Sequence, residues 1–229
     1  MSSKVALVTG ASRGIGLGIA QRLSKLGYEV AIVARSDPRV VAATAFPWAR
    51  AGSVLPIAAN VGSPSEMTAA VARAVEEFGR LDVLVNNAGV APRGRVAELE
   101  ASVFEELLAT NVRSVFYATK AAWPHLASTR GVVVSISSMS SIDPFLGMGT
   151  YGATKAWVNL LTHALGAEGR EAGVRAYAIA PGAVETKLMR DLWPDEQTAM
   201  DPGEVADVVE SLLDSKMARA SGETIFLRT

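Results

Sequence analysis

Val5-Ala6-Leu7-Val8-Thr9-Gly10-Ala11-Ser12-Arg13-Gly14-Ile15-Gly16 is the stretch on which the fold turns. An unbroken apolar run, Val5 to Val8, is the signature of a strand covered on both faces, where no side chain meets water. The run ends in a turn spaced G-x-x-x-G-x-G that opens directly into a helical pattern. Glycines there let the backbone turn tightly and let a pyrophosphate approach the helix N-terminus. The spacing is not the G-x-G-x-x-G form, and taken alone it fits a plain strand-to-helix turn as well.

Working outward, short β-branched runs alternate with longer helical ones along the whole chain, the sequence form of repeated βαβ units. Strands are predicted at Val5 to Thr9, Glu29 to Ala34, Val54 to Ala58, Leu81 to Asn86, Val132 to Ser137, Arg175 to Ala180 and Glu223 to Leu227. Ser63-Pro64-Ser65-Glu66 and Asp201-Pro202-Gly203-Glu204 each place a capping residue before Pro and an acid three positions later, so both start helices. A long helix is predicted from about Ser102 to Trp123. Ser36 to Gly52 and Glu185 to Met200 are the least regular segments, and the second reads as a mobile flap. The expected fold class is α/β: a single Rossmann-type, doubly wound, seven-stranded parallel sheet with helices on both faces. The expected organisation is one domain, 1–229, with a short substrate flap around 185–200.

Composition agrees with a globular chain and narrows the chemistry. Of 229 residues, 49% are hydrophobic and 20% charged, and a net charge of -1 gives no electrostatic case for nucleic acid or an anionic membrane. Cysteine is absent, which removes disulfides, thiolate zinc and Cys nucleophiles, and His125 and His163 are too few for a metal centre. With no apolar leader after Met1-Ser2-Ser3-Lys4, the expectation is a cytoplasmic protein.

The chemistry lies in Tyr151-Gly152-Ala153-Thr154-Lys155. Tyr and Lys four apart on a helix present phenol and ammonium on one face, and a nearby ammonium lowers a phenol's pKa towards neutrality, as an acid or base acting on a carbonyl or alcohol requires. Asn111 is a second signal, because it interrupts the apolar stripe of Phe104, Leu108 and Val115, and a buried polar residue needs a partner. It bonds either to its own helix or to a functional group. No G-x-S-x-G elbow is present, which argues against a serine hydrolase.

With the glycine turn and Tyr-x-x-x-Lys together, the chain resembles the short-chain dehydrogenase/reductase family from Val5 to Thr186, and more loosely beyond. The resemblance implies a catalytic Ser thirteen positions before the Tyr, which is Ser138, although Ser135, Ser137, Ser140 and Ser141 lie beside it. It implies that Asn111 holds a water on a proton path from Lys155. It also implies that Asn86-Asn87-Ala88-Gly89 passes close to the cofactor, and that Pro181, Gly182, Val184 and Thr186 fix the nicotinamide carboxamide, Val184 through its backbone and Thr186 through its hydroxyl. Cofactor contacts carried over in the same way are Gly10, Ser12, Arg13, Gly14, Ile15 and Gly16 in the first turn, Arg35, Ser36, Asn60, Val61, Asn87, Ala88 and Gly89 along the strand ends, and Tyr151 with Lys155.

An NAD enzyme places an acid at the end of the second strand for the ribose diol, whereas this chain has Ala34, Arg35 and Ser36 there. With Arg13 also basic, NADP(H) is expected; Asp37 is the competing acid. Asn60 replaces the Asp that commonly meets adenine, and an Asp-Gly-Gly tail is missing, which leaves the quaternary arrangement open between homodimer and homotetramer. The implied activity is NADPH-dependent reduction of a ketone or aldehyde to an alcohol, or the reverse, with 3-oxoacyl thioester reduction and a non-catalytic NADP(H) sensor as alternatives. Met139, Ile142, Phe145, Leu146 and Met148 should face Leu188, Met189, Leu192 and Trp193 across the nicotinamide, which favours a hydrophobic substrate.

Overall fold

A computed structural model describes residues 3–198 and 200–228. Met1, Ser2, Ala199 and Thr229 lie outside the described residues, and with them the first residues of the N-terminal reading, one position of the 185–200 flap and the last residue of the 1–229 span. Among the described residues, strands β1 (Val5–Thr9), β2 (Glu29–Ala34), β3 (Val54–Ala58), β4 (Val83–Asn86), β5 (Val132–Ile136), β6 (Arg175–Pro181) and β7 (Thr224–Leu227) form one sheet in the order β3-β2-β1-β4-β5-β6-β7. Every pairing is parallel. The helices are α1 (Gly14–Lys25), α2 (Arg39–Thr44), α3 (Pro64–Phe78), α4 (Ala101–Leu107), α5 (Ser114–Thr129), α6 (Gly149–Glu168), α7 (Lys187–Leu192) and α8 (Pro202–Leu213).

Alternation along β1 shows why its sequence is continuously apolar. Ala6 and Val8 enter one core with Ile19, Leu23, Val205 and Val209, while Val5 and Leu7 enter another with Met67, Val71, Ala118 and Leu126. Helices α1 and α8 therefore cover one face and α3 and α5 the other, so a Leu7→Ala exchange would open a cavity costing about 2–5 kcal/mol. Pro56 is tolerated in β3 because that strand is the sheet edge. The chain runs outward from β1 to β3 and then crosses back to β4 on the other side of β1, which opens a crevice above the C-terminal ends of β1 and β4.

Both helices start where the capping reading puts them, but the expected box at Ser63 is only half formed, because the Glu66 carboxylate accepts the Asn60 N–H instead of the Ser63 N–H. The Ser63 hydroxyl accepts from the Glu66 N–H, and Asp201 and Glu204 form a reciprocal capping box. β4 begins two residues later than expected, since Asp82 turns its carboxylate to accept the Val5 N–H at 2.9 Å and is clamped by Arg80. The long helix predicted from Ser102 is not continuous: Leu108–Arg113 is a π-helical turn between α4 and α5, and the helix runs on to Thr129. The wide turn carries Asn111 inward, fully buried, while the apolar faces on either side stay against the core. The two irregular segments also contain structure, α2 in the first and α7 in the second.

Candidate active site

Thr9, the last residue of β1, organises the crevice floor. Its buried hydroxyl donates to the Val85 carbonyl and accepts the N–H groups of Asn87 and Ala88, which ties the end of β1 to the end of β4. The Asn87 amide donates to the carbonyls of Thr9, at 2.9 Å, and Gly10, at 3.1 Å. Glycine is required at position 10, with φ +65°, because a Cβ there would sit 2.8 Å from the Ala88 Cα, and a Cβ at Gly16 would strike the Asn87 amide and the Gly10 carbonyl. Gly14 opens α1 after the extended, exposed Arg13, while Ser12 and Ile15 are half-buried beside it. The result is a bare-backbone cradle at a helix N-terminus, the setting a pyrophosphate needs.

One strand along, Ser138, Tyr151, Lys155 and Asn111 converge. The turn after β5 carries Ser138, whose oxygen accepts the Ser140 N–H at 3.1 Å and whose hydroxyl lies near enough to the Tyr151 phenol to favour its ionised form. The neighbouring serines go elsewhere: Ser135 to Asn86, Ser137 to the Lys155 carbonyl, Ser141 to Asn159. Lys155 is buried, its Nζ donating to the Ile136 carbonyl at 2.8 Å and lying 5.8 Å from the Tyr151 ring centre. Burial brings its pKa down to about 8 from 10.5. Burial also raises the Tyr151 phenol, against the lowering effect of Ser138, so in the protein without cofactor the phenol stands above its ordinary value rather than close to neutrality. The cause is burial of the phenol; the Lys155 ammonium meanwhile donates to a carbonyl at the end of β5.

Asn111 does not bond to its own helix. Its Oδ1 accepts the Val90 N–H and its Nδ2 donates to the Val90 carbonyl and to Thr154 Oγ1, which in turn donates to the Tyr151 carbonyl. One side chain thus fixes both the loop after β4 and the helix that carries Tyr151 and Lys155. Gly89 lies between them, its missing Cβ direction pointing at Asn111 Oδ1 and Lys155 Nζ, 3.4 and 3.5 Å away.

At the far end of the crevice Arg35 and Ser36 are exposed, and Arg35 stands 3.7 Å from Glu106. Asp37 is committed to Arg39, which donates from Nε at 2.6 Å and holds the carboxyl below its usual range. Asn60 Oδ1 accepts the Gly62 N–H, and Val61 is buried in the core, which leaves its backbone for any ligand. On the other side Pro181 ends β6, the Gly182 N–H bonds Leu227, and Val184 bridges to Met200. The Thr186 hydroxyl caps α7 through the Met189 N–H and donates to the Val184 carbonyl. The two apolar segments do meet, Phe145 and Trp193 in an edge contact 5.8 Å apart, but Met148 faces inward and is buried. A cavity of about 510 Å³ lies between α1, α7 and α8 and touches the crevice only through Gly14 and Thr186.

Among the described residues no group of three or more His, Cys, Asp or Glu could hold a metal. The cradle of Gly10 and Gly16, free of side chains, fits the pyrophosphate of a dinucleotide, and Arg13 and Arg35 stand exposed. Sequence reasoning missed Thr9, Val90 and Thr154. Thr9 alone left a signal, a polar residue closing an apolar strand directly before the glycine turn.

Residues 4–197 match the family model described as short chain dehydrogenase. The chain is 35% identical to 2-(R)-hydroxypropyl-CoM dehydrogenase of Xanthobacter autotrophicus over 219 residues, which cover 93% of this chain and 85% of that protein. Among solved structures it is similar to the 3-ketoacyl-(acyl-carrier-protein) reductase of Brucella melitensis complexed with NADH, with a TM-score of 0.89, 30% identity and 98% and 96% of the two chains covered. A short chain dehydrogenase of Burkholderia cenocepacia in complex with NADP matches with a TM-score of 0.88 and 30% identity over 99% and 96% of the chains.

Proposed function

Because this chain belongs to the short-chain dehydrogenase family of oxidoreductases, we propose that it is an NADP(H)-dependent reductase of a hydrophobic ketone or aldehyde, or catalyses the reverse oxidation. One observation carries the reading: the Ser138 hydroxyl beside the Tyr151 phenol, with Lys155 buried one helical turn behind. When bound, the nicotinamide supplies hydride chemistry at the carbonyl carbon. Tyr151 gives its proton to the carbonyl oxygen, and Ser138 donates a hydrogen bond that stabilises the charge growing there. Lys155 would hold the nicotinamide ribose, and its charge would favour the phenolate that Tyr151 becomes. Asn111 keeps the Val90 loop and α6 in register, so the proton path implied by the family would start from a group held on both sides.

Arg13 and Arg35 support a preference for the 2′-phosphate, and the engagement of Asp37 with Arg39 argues against that acid serving a ribose diol. The two solved relatives, one with NADH and one with NADP, leave the preference to be measured. Reduction of a 3-oxoacyl thioester is the second reading, favoured by the similarity to the Brucella melitensis protein. We further propose that the chain works in the cytoplasm as a homodimer or homotetramer, with 1–229 acting as one catalytic unit under the short 185–200 flap. No helix among the described residues is long and apolar enough to cross a membrane. The test is a panel of neutral ketones and aldehydes followed by loss of NADPH absorbance. Turnover of hydrophobic carbonyls supports the proposal, and cofactor binding without turnover of any carbonyl would favour a non-catalytic sensor.

A further inference from the structure

Three residues beyond the Val90 anchor, the loop after β4 presents Arg93 and Arg95 beside a cavity of about 250 Å³, lined also by Gly94, Glu98, Leu146 and Gly147. This cavity sits where the two loops leading to the site are pinned together, the Gly94 N–H donating to the Gly147 carbonyl at 2.9 Å. Gly147 has φ +83°, and a Cβ there would stand 3.2 Å from the Arg93 Cγ, so the loop before Tyr151 is shaped around the arginine stem. Four residues later comes Tyr151, and the Val90 end of the other loop is held by Asn111.

The charges around this mouth are unequal in kind. In the flap, Lys187 faces Asp191 and Arg190 faces Glu185, so each cation there already has a carboxylate beside it. Arg93 and Arg95 make no ion pair or side-chain hydrogen bond among the described residues, and Glu98, the acid in the same cavity, pairs with neither. Two guanidinium groups against one carboxylate leave the cavity with a net positive charge, and guanidinium recognises oxyanions by paired, charge-assisted hydrogen bonds. Next to it stand the exposed apolar side chains Phe145 and Leu146.

Resting on the reductase reading above, we infer that Arg93 and Arg95 form an anion subsite at the mouth, and that the substrate is a carbonyl compound with an apolar body ending in a carboxylate, sulfonate or phosphate. The apolar segments would take the body of the molecule and the arginines its far end. The experiment is a matched series with NADPH: straight-chain methyl ketones, and the same ketones carrying a terminal carboxylate, sulfonate or phosphate. Wild type should favour the anionic members by about ten-fold or more in kcat/KM, chiefly through KM, with the advantage shrinking as salt is added. Arg93→Gln with Arg95→Gln should lower the anionic-to-neutral ratio about ten-fold, and Arg93→Lys with Arg95→Lys should restore part of it. The three anionic arms show which oxyanion the subsite takes. Turnover with equal preference for neutral ketones, or a ratio unmoved by the double Gln variant, overturns the subsite and leaves the reductase reading standing. No turnover of any member overturns the reductase reading, and the subsite with it.

Discussion

Replacing Lys155 by Met should make the protein more stable and useless as an enzyme. The ammonium is buried, 5% exposed, and burial holds its pKa at about 8 where an unfolded chain would show 10.5. A depression of that size costs the charged form about 3 kcal/mol. Met fills the same channel without the charge, and leaves the Ile136 carbonyl without the donor that now reaches it at 2.8 Å, a loss of about 1 kcal/mol. The net gain at pH 7 is about 2 kcal/mol, or about 4–8 °C in Tm for a chain of this size. Its pH dependence has a definite sign. Below about pH 8 both folded and unfolded wild type carry the charge and the penalty is complete. Between about 8 and 10.5 the folded protein sheds a proton that the unfolded chain keeps, so wild type gains stability as pH rises and the penalty vanishes. Urea titrations of the two proteins from pH 7 to pH 10.5, without cofactor, read the difference directly. Lys155→Met should lead at pH 7, and its advantage should close as pH approaches 10.5. A variant less stable than wild type at pH 7, or a gap that does not change with pH, would refute the reasoning.

Thr9→Val removes the acceptor of two backbone N–H groups and should destabilise the fold by about 2 kcal/mol or more, measurable by thermal melting, while weakening NADPH binding. Cofactor choice should favour NADPH over NADH by about ten-fold or more in kcat/KM, and Arg35→Asp should reverse it; equal values in wild type would remove Arg35 from the account. Light scattering at micromolar concentration should give at least a dimer, since Phe116 and Leu160 stand exposed on α5 and α6 at 46% and 70%.

What could be read from the sequence depended on whether a feature is local. The continuous apolar runs that became β1, β2 and β5 and the caps at Ser63 and Asp201 are decided within a few residues, so those elements stand where periodicity and capping chemistry put them. The extra residue in the turn at Leu108–Arg113 leaves the apolar stripe almost unchanged on either side, and the π-turn was therefore invisible. Asn111 announced that it needed a partner but not which, because Val90 and Thr154 are 21 and 43 residues away. In the same way the direction of the Lys155 ammonium follows from where β5 ends relative to α6, a tertiary fact that Tyr-x-x-x-Lys spacing does not contain. Ser138 needed the family's spacing to be chosen from its neighbours, and its place beside the Tyr151 phenol is a tertiary fact that spacing within the loop does not contain.

Tyr151→Phe tests the central claim most directly, because it keeps the ring between Ser138 and Lys155 and deletes only the hydroxyl that gives up the proton. Wild type and variant should be compared side by side, NADPH affinity by fluorescence titration and turnover of the best ketone by loss of NADPH absorbance. The account predicts that affinity survives within a few-fold while kcat falls by about 100-fold or more, the loss expected of a missing general acid. Turnover close to wild type in Tyr151→Phe, with NADPH still bound, would contradict it.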